Sequence, residues 1–251
     1  MSNEPHDSFI DKPQCGPAVF AATRWTVVLA AGRDDRQGAR ALEQLCRTYW
    51  LPLYSYVRRQ GYGPHDAQDL TQGFFARLLR MNSVAGVSPE KGKFRTFLLA
   101  SLNHFLSDER DHARAGKRGG GQLVISLDET EAEQRYLQIP CAEMAPEKVF
   151  DRRWALTVME LALQRLRKEY ESSGRQGLFE ALGAFLSAET GAGGYDAVAL
   201  QLGMSPGSVA VAVHRMRQRY RECTRLELAQ TVCSDADLDE ELNYLFAALG
   251  G

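Results

Sequence analysis

The sequence has no long hydrophobic run and few strand-forming segments. Its 251 residues include no stretch of about 18 apolar residues, so a transmembrane helix is excluded. The amino terminus is polar and acidic and lacks the basic start and apolar centre of a signal peptide. We therefore expect a cytoplasmic protein with no membrane partner. Hydrophobic residues make up 44% of the chain and charged residues 25%, values typical of a folded globular protein rather than a disordered one.

Metal-binding and catalytic signatures are also missing. The five cysteines are far apart without a CxxC pair, and the five histidines are scattered, so we expect no metal site and no cofactor. We interpret the thiols as reduced and mostly buried, with redox sensing as the alternative. The sequence contains no P-loop, no HExxH motif and no nucleophile–base pair. We therefore predict that the protein is not an enzyme; a helical hydrolase with scattered carboxylates is the alternative.

Charge and helical periodicity divide the chain into segments. Only residues 123–127 have the pattern of a strand, and helical spacing of apolar residues dominates elsewhere, which predicts an all-α fold with two helical domains. Residues 122–151 hold seven acids against two bases, and prolines interrupt this stretch, which indicates a flexible acidic linker. The predicted segments are a mobile leader (1–22), an N-terminal helical bundle (23–120), the linker (121–145), a C-terminal helix-turn-helix domain (146–228) and an acidic extension (229–251).

The strongest local pattern predicts two helices joined by a tight turn near residue 203. Gly203 can adopt the left-handed conformation that ends a helix, Ser205 is a good N-cap, and Pro206 suits a first helical position. The predicted inner faces are Val198, Ala199 and Leu202, then Val209, Val213 and Met216. Arg215, Arg217, Arg219, Arg221 and Arg225 follow. This combination favours a DNA-binding helix-turn-helix over an ordinary helical hairpin with a solvated basic face.

Two further helices are predicted in the N-terminal half. One opens at Pro64 with Asp66 and Asp69 in its first turns, where the helix dipole favours acids. The other covers residues 93–114 and has a wide apolar face opposite a polar stripe. Its phenylalanines lie beside cations, as in surfaces that bind single-stranded nucleic acid, but phenylalanines at helical spacing are more often core residues. The phenylalanines are therefore interpreted either as a nucleic-acid surface or as core residues. The acids Asp66 and Asp69 are interpreted either as a functional surface or as an ordinary solvated helix start.

These segments together resemble bacterial RNA polymerase sigma factors of the small extracytoplasmic-function type. Residues 66–75, DAQDLTQGFF, are similar to that family's DAEDLxQxxF helix, which docks on the coiled coil of the polymerase β′ subunit. Residues 94–108 resemble the FRxWLxxxxxNxxxD helix that melts the minus-ten promoter element, with Phe97 at the usual Trp and His104 at the usual Asn. Residues 195–217 resemble the helix-turn-helix that reads the minus-thirty-five element, with alanine at two positions that are often basic.

The resemblance implies three sets of site residues. Polymerase binding is expected at Asp66, Asp69, Leu70, Gln72 and Phe75. Single-stranded promoter DNA is expected at Phe94, Arg95, Phe97, Asn103, His104, Arg110 and Arg114. Duplex DNA is expected at Ser205, Gly207, Ser208, Ala210, Val211, Ala212, His214, Arg215, Arg217 and Arg219.

The function expected from the sequence is that of a sigma factor. It would bind the β′ and β subunits of core RNA polymerase, recognise promoter DNA and promote strand opening, and an anti-sigma protein is a further possible partner. The alternative is a helix-turn-helix regulator that binds duplex DNA without polymerase. The acidic tail, with six acids and no Lys or Arg from Leu226 onward, is predicted either to fold back on the basic helix and compete with DNA or only to cover apolar surface.

Overall fold

The computed structural model describes residues 36–80, 93–114, 129–138, 143–186, 194–229 and 235–250. All the regular structure in these ranges is helical, and the predicted all-α fold is confirmed. The predicted leader (1–22) and the possible strand at 123–127 lie outside the described residues. The helices are α1 (Arg36–Arg59), α2 (Pro64–Arg80), α3 (Phe94–Arg114), α4 (Glu129–Leu137), α5 (Pro146–Ser172), α6 (Gln176–Leu182), α7 (Asp196–Leu202), α8 (Pro206–Ala229) and α9 (Asp235–Gly250), with a 3₁₀ turn at Gly183–Leu186.

Helix α5 connects two hydrophobic cores. It has 27 residues, which at 1.5 Å per residue makes it about 40 Å long. The side chains of its first half, including Phe150 and Trp154, pack into a first core formed with helices α1, α2 and α3. Its second half, including Ala162 and Leu166, packs into a second core with the buried faces of α7 and α8. One long helix therefore holds the two cores at a fixed distance along its axis.

The first core draws on more of the chain than the N-terminal helices. Besides residues 49–106, it includes Trp154 of α5, Leu228 near the end of α8, and Leu238 and Leu245 of α9. All four are buried, and each comes from beyond the predicted linker. Segment 146–228 thus contributes to both cores, an arrangement that the periodicity of individual helices does not reveal.

Part of the segment predicted as a flexible linker forms helix α4. Ala132 is completely buried in the first core, and Glu133 makes a paired contact with Arg58 of α1 at 2.6 and 2.8 Å. The Arg58 hydrogen bonds hold the pKa of Glu133 below its ordinary value. Tyr54 also donates to Glu133, at 2.6 Å. The acid count and the prolines predict a linker here, but two α1 side chains, Tyr54 and Arg58, bind Glu133 and hold this part of the segment against α1 as a helix.

No single helix in the described ranges has both the length and the apolar composition to cross a membrane. Helices α7 and α8 pass that test only as a pair, and the pair is bent by 94°.

Candidate polymerase and nucleic-acid surfaces

The turn between α7 and α8 has the predicted geometry. Gly203 is left-handed, with φ 62° and ψ 31°, and follows the last residue of α7. The backbone N–H of Met204 donates to the Ala199 carbonyl at 2.9 Å, which closes the end of that helix. Ser205 caps α8, because its Oγ accepts from the Ser208 N–H at 3.1 Å. The predictions for Gly203, Ser205 and a helix start at Pro206 are confirmed.

The inner face predicted for α8 is also confirmed, and it leaves the opposite face of its first turns accessible. Val209, Val213 and Met216 are buried in the second core. Across from them, the start of α8 borders a cleft of about 600 Å³. The lining residues on α8 and its turn include Ser205, Gly207, Ser208, Val211, Ala212 and Arg215, all of which belong to the predicted duplex-DNA set. Ala210 is half-buried and His214 is exposed beside them.

Two arginines of the predicted duplex-DNA set point toward the protein instead. Arg217 donates through Nε and Nη2 to the Phe185 carbonyl oxygen, at 2.9 and 2.7 Å. Arg219 makes a paired contact with Glu169 of α5, with both N–O distances at 2.8 Å, and it also contacts Glu222. The hydrogen bond from Arg219 lowers the pKa of Glu169. In this arrangement both guanidinium groups therefore stabilise the packing of α8 against α5 and the 3₁₀ turn.

Arg175 also lines the cleft and lies outside the predicted duplex-DNA set. It precedes α6, and its guanidinium carbon lies 5.0 Å from the centre of the Tyr170 ring. Ring and guanidinium line the same cleft as Ser205 and Arg215, and the guanidinium adds a positive charge to it. The only sequence signal for Arg175 is its place between two helices, which does not say which surface it will face.

The start of α2 presents an acidic surface. Asp66 and Asp69 are exposed, and 65% of the Asp69 side chain is accessible. Asp69 lies 3.2 Å from His65, one turn earlier. Leu70 and Gln72 are half-buried beside these acids, whereas Phe75 is only 1% exposed and packs against Phe74. Four of the five predicted polymerase-binding residues are thus accessible on one end of α2, and the Phe75 ring supports them from the core.

Close packing of α2 against α3 explains the glycine in the middle of α2. A Cβ on Gly73 would lie 3.2 Å from Cζ of Phe105, a distance that forces the ring to move. Arg77 and Asp108 join the same two helices at 2.7 Å. The orientation of the acidic surface relative to α3 is therefore fixed by packing.

The residues predicted to contact single-stranded DNA fall into two groups along α3. Phe94 is buried against the edge of Tyr49, with ring centres 5.3 Å apart, and Phe97 is half-buried next to it. The core interpretation therefore describes Phe94 in this arrangement. Asn103, His104 and Arg110 are exposed. The Asn103 Oδ1 accepts from the Tyr56 hydroxyl at 2.8 Å, and Arg114 is the last residue of the helix.

Arg95 is the most enclosed of the charged side chains that the structure describes on this helix. Only 8% of it is exposed, and its guanidinium makes a paired contact with Glu241 of α9, at 3.1 and 3.2 Å. Asp151 of α5 lies 3.5 Å away, and the Tyr244 ring centre lies 3.6 Å from the guanidinium carbon. Burial is the largest single effect and lowers the pKa of Arg95, but the hydrogen bonds that Arg95 donates to Glu241, together with the nearby negative charge of Glu241 and Asp151, outweigh burial and raise the pKa.

Comparisons with known proteins bear on these surfaces. No protein-family model matches the chain, and no solved structure matches it. The chain is similar to the ECF RNA polymerase sigma factor SigE of Mycolicibacterium smegmatis, with 26% identity over 225 residues. The match covers 89% of this chain and 73% of that protein. This similarity supports placing the chain with the sigma factors that act in transcription initiation.

Proposed function

We propose that the protein is a sigma factor of the extracytoplasmic-function type, which binds core RNA polymerase, recognises promoter DNA and promotes strand opening. The observation that carries the proposal is the extent of the similarity to a sigma factor. Because it spans 89% of the chain, it includes both the acidic surface of α2 and the cleft beside α8. A protein that only bound duplex DNA would need the second of these surfaces and not the first.

In the proposed function, the start of α2 is the polymerase-docking surface. Asp66 and Asp69 offer exposed carboxylates to basic residues of the β′ subunit, with Leu70 and Gln72 beside them. Exposed charges of this kind set the partner and the rate of association. Phe75 acts indirectly, because its buried ring holds the helix on the first core.

The start of α8 is proposed to enter the major groove of the minus-thirty-five element. A recognition helix enters the groove by its N-terminal residues, which here are Ser205, Gly207, Ser208 and Val211. Ser205 and Ser208 supply hydroxyls to base edges or phosphates, and Val211 supplies an apolar contact suited to a thymine methyl. Arg215 and Arg175 both line the cleft and would supply positive charge to phosphates there.

The different contacts of Arg215 and Arg217 support different roles for them and suggest a matched pair of variants. Arg215→Gln should lower the slope of log affinity against log salt for duplex binding by about one, because it removes one phosphate contact. Arg217→Gln should leave that slope unchanged and lower thermal stability, because its guanidinium binds the Phe185 carbonyl. Affinity of the full chain for a promoter duplex, measured at several salt concentrations, distinguishes them. Equal slopes for both variants would contradict this assignment of roles.

Association with polymerase tests the proposed function itself. The full chain, mixed with purified core RNA polymerase, should co-elute with it on gel filtration as a stoichiometric complex. A chain that binds duplex DNA yet elutes separately from polymerase would instead be a helix-turn-helix regulator.

A further inference from the structure

Two carboxylates of helix α9 form ion pairs with the basic residues at the start of α3. Glu241 is 2% exposed and forms the paired contact with Arg95, which is 8% exposed. Lys93, just before α3, lies 3.1 Å from Glu241 and 3.4 Å from Glu240. Two cations that precede or begin the helix proposed to melt the promoter are thus held by two acids of the tail.

Helix α9 also packs an aromatic ring against Arg95. The Tyr244 ring lies 3.6 Å from the Arg95 guanidinium carbon, and its hydroxyl donates to Asp151. Arginine binds phosphate in the same paired geometry as carboxylate, and it stacks on bases as it stacks on aromatic side chains. Glu241 and Tyr244 therefore present the two chemical groups, a paired anionic oxygen and a planar π face, that a nucleotide would present.

We propose that α9 is an intramolecular plug, which occupies Lys93 and Arg95 and must leave them before a single DNA strand can bind there. The proposal rests on the proposed function, with Arg95 binding the opened strand as the resemblance of residues 94–108 implies. Because strand and helix compete for the same cations, a strand that binds Arg95 releases α9, and a bound α9 weakens strand binding by the same factor.

The apolar contact of α9 with the first core is made mostly by partly exposed side chains. Leu238 and Leu245 are buried, and the half-buried side chains that pack on the core are Leu242, Tyr244, Ala248 and Leu249. Phe246 remains 54% exposed on the same helix. Segments with few buried apolar contacts open at lower free energy than the core that they cover.

The contact of α9 with the arginine-rich helix α8 is exposed, unlike the buried contact of α9 with Arg95. Arg225 lies 2.9 Å from Asp239, but both side chains are largely exposed, and exposed pairs contribute little. Of the two alternatives for the tail, competition with DNA at the arginine-rich helix rests on this exposed pair. The buried ionic contact of α9 lies on α3, so competition is expected for single-stranded rather than duplex DNA.

A charge-neutralising variant and a matched control test the plug in the full chain. Glu241→Gln keeps the size of the side chain and removes its charge, and Asp239→Asn makes the same change at the exposed pair on the same helix. The probe is a fluorescent single-stranded oligonucleotide pool of random sequence, followed by anisotropy. Glu241→Gln should bind about tenfold more tightly than the wild type, the low end for loss of a charged hydrogen bond. Asp239→Asn should stay within about twofold of the wild type, as for an exposed pair.

A double variant shows whether the gain in affinity depends on Arg95. Hydrogen exchange of the wild-type protein supplies a second measurement that does not require the variant to fold. Arg95→Gln combined with Glu241→Gln should lose the gain in affinity. In the wild type, the amides of residues 237–250 should lose protection from exchange when the strand binds. This second measurement decides the question if Glu241→Gln fails to fold.

The outcomes separate the plug from the proposed function. A folded Glu241→Gln protein with wild-type affinity overturns the plug, and so does the absence of strand binding by both proteins. Unchanged protection of α9 in the strand complex also overturns it. Co-elution with core polymerase, which relies on α2 rather than α3, decides the proposed function independently.

Discussion

Replacing Asp69 with arginine should abolish co-elution with core RNA polymerase while leaving the helical circular dichroism spectrum unchanged. The Asp69 side chain is 65% exposed, and its contact with His65 is an exposed pair within one helix. Such pairs contribute at most a few tenths of a kcal/mol, so about 0.5 kcal/mol is the largest stability change expected. Placing a like charge against basic residues of a partner costs several kcal/mol, which corresponds to a loss of affinity of about 100-fold or more.

A matched control separates docking from general charge effects. Glu109 is an exposed acid on α3, outside the proposed docking surface. Glu109→Arg changes the net charge by the same amount and should keep wild-type co-elution. If Asp69→Arg co-elutes as the wild type does, the acidic end of α2 is not the docking surface.

Replacing Trp154 with alanine should destabilise the whole protein. Trp154 is completely buried in the first core, 6.2 Å from the Tyr244 ring and 5.3 Å from the Arg95 guanidinium carbon. Truncating a buried tryptophan costs about 3–5 kcal/mol in lost transfer energy and cavity formation. Because α5 passes through both cores, urea unfolding followed by far-ultraviolet circular dichroism should remain a single transition at lower urea.

An exposed leucine provides the control for that prediction. Leu200 of α7 is 88% exposed, and Leu200→Ala should change the free energy of unfolding by less than about 0.5 kcal/mol. If residues 36–114 fold independently of α5, Trp154→Ala will leave one unfolding transition at its wild-type midpoint. That result would contradict the shared first core.

Local features of the fold follow from short stretches of sequence. The turn at Gly203 and the cap at Ser205 were predictable because one residue type and one spacing fix each of them. The buried positions Val209, Val213 and Met216 follow from helical periodicity in the same way. In these places the determinants lie within a few residues of the feature.

Features that depend on distant partners were not predictable. Arg217 and Arg219 lie in a basic stretch, but Phe185 and Glu169 supply acceptors from other elements and turn them inward. The acid excess and the prolines of residues 122–151 predict a linker where helix α4 lies, whereas Arg58 binds one of those acids, Glu133. Periodicity predicts the face of a helix on which a charged residue lies. It does not predict which residue of another element will contact that charge.

The candidate site shows the same division. The pattern of residues 63–79 predicts acids at an exposed helix start, since such a position needs no partner within the chain, and the resemblance implies their docking role. The enclosure of Arg95 was not, because Glu241 lies 146 residues further along. Contacts of such sequence separation are set by the packing of α9 on α5 and α8, which single-helix patterns do not encode.

Promoter-directed transcription is the most direct test of the proposed function. Core RNA polymerase is incubated with a genomic fragment library, with and without the purified full chain, and the 5′ ends of the transcripts are mapped. A sigma factor predicts discrete start sites that require the chain, preceded by shared sequence elements, and that are lost with the Asp69→Arg variant. Identical transcripts with and without the chain would contradict the account.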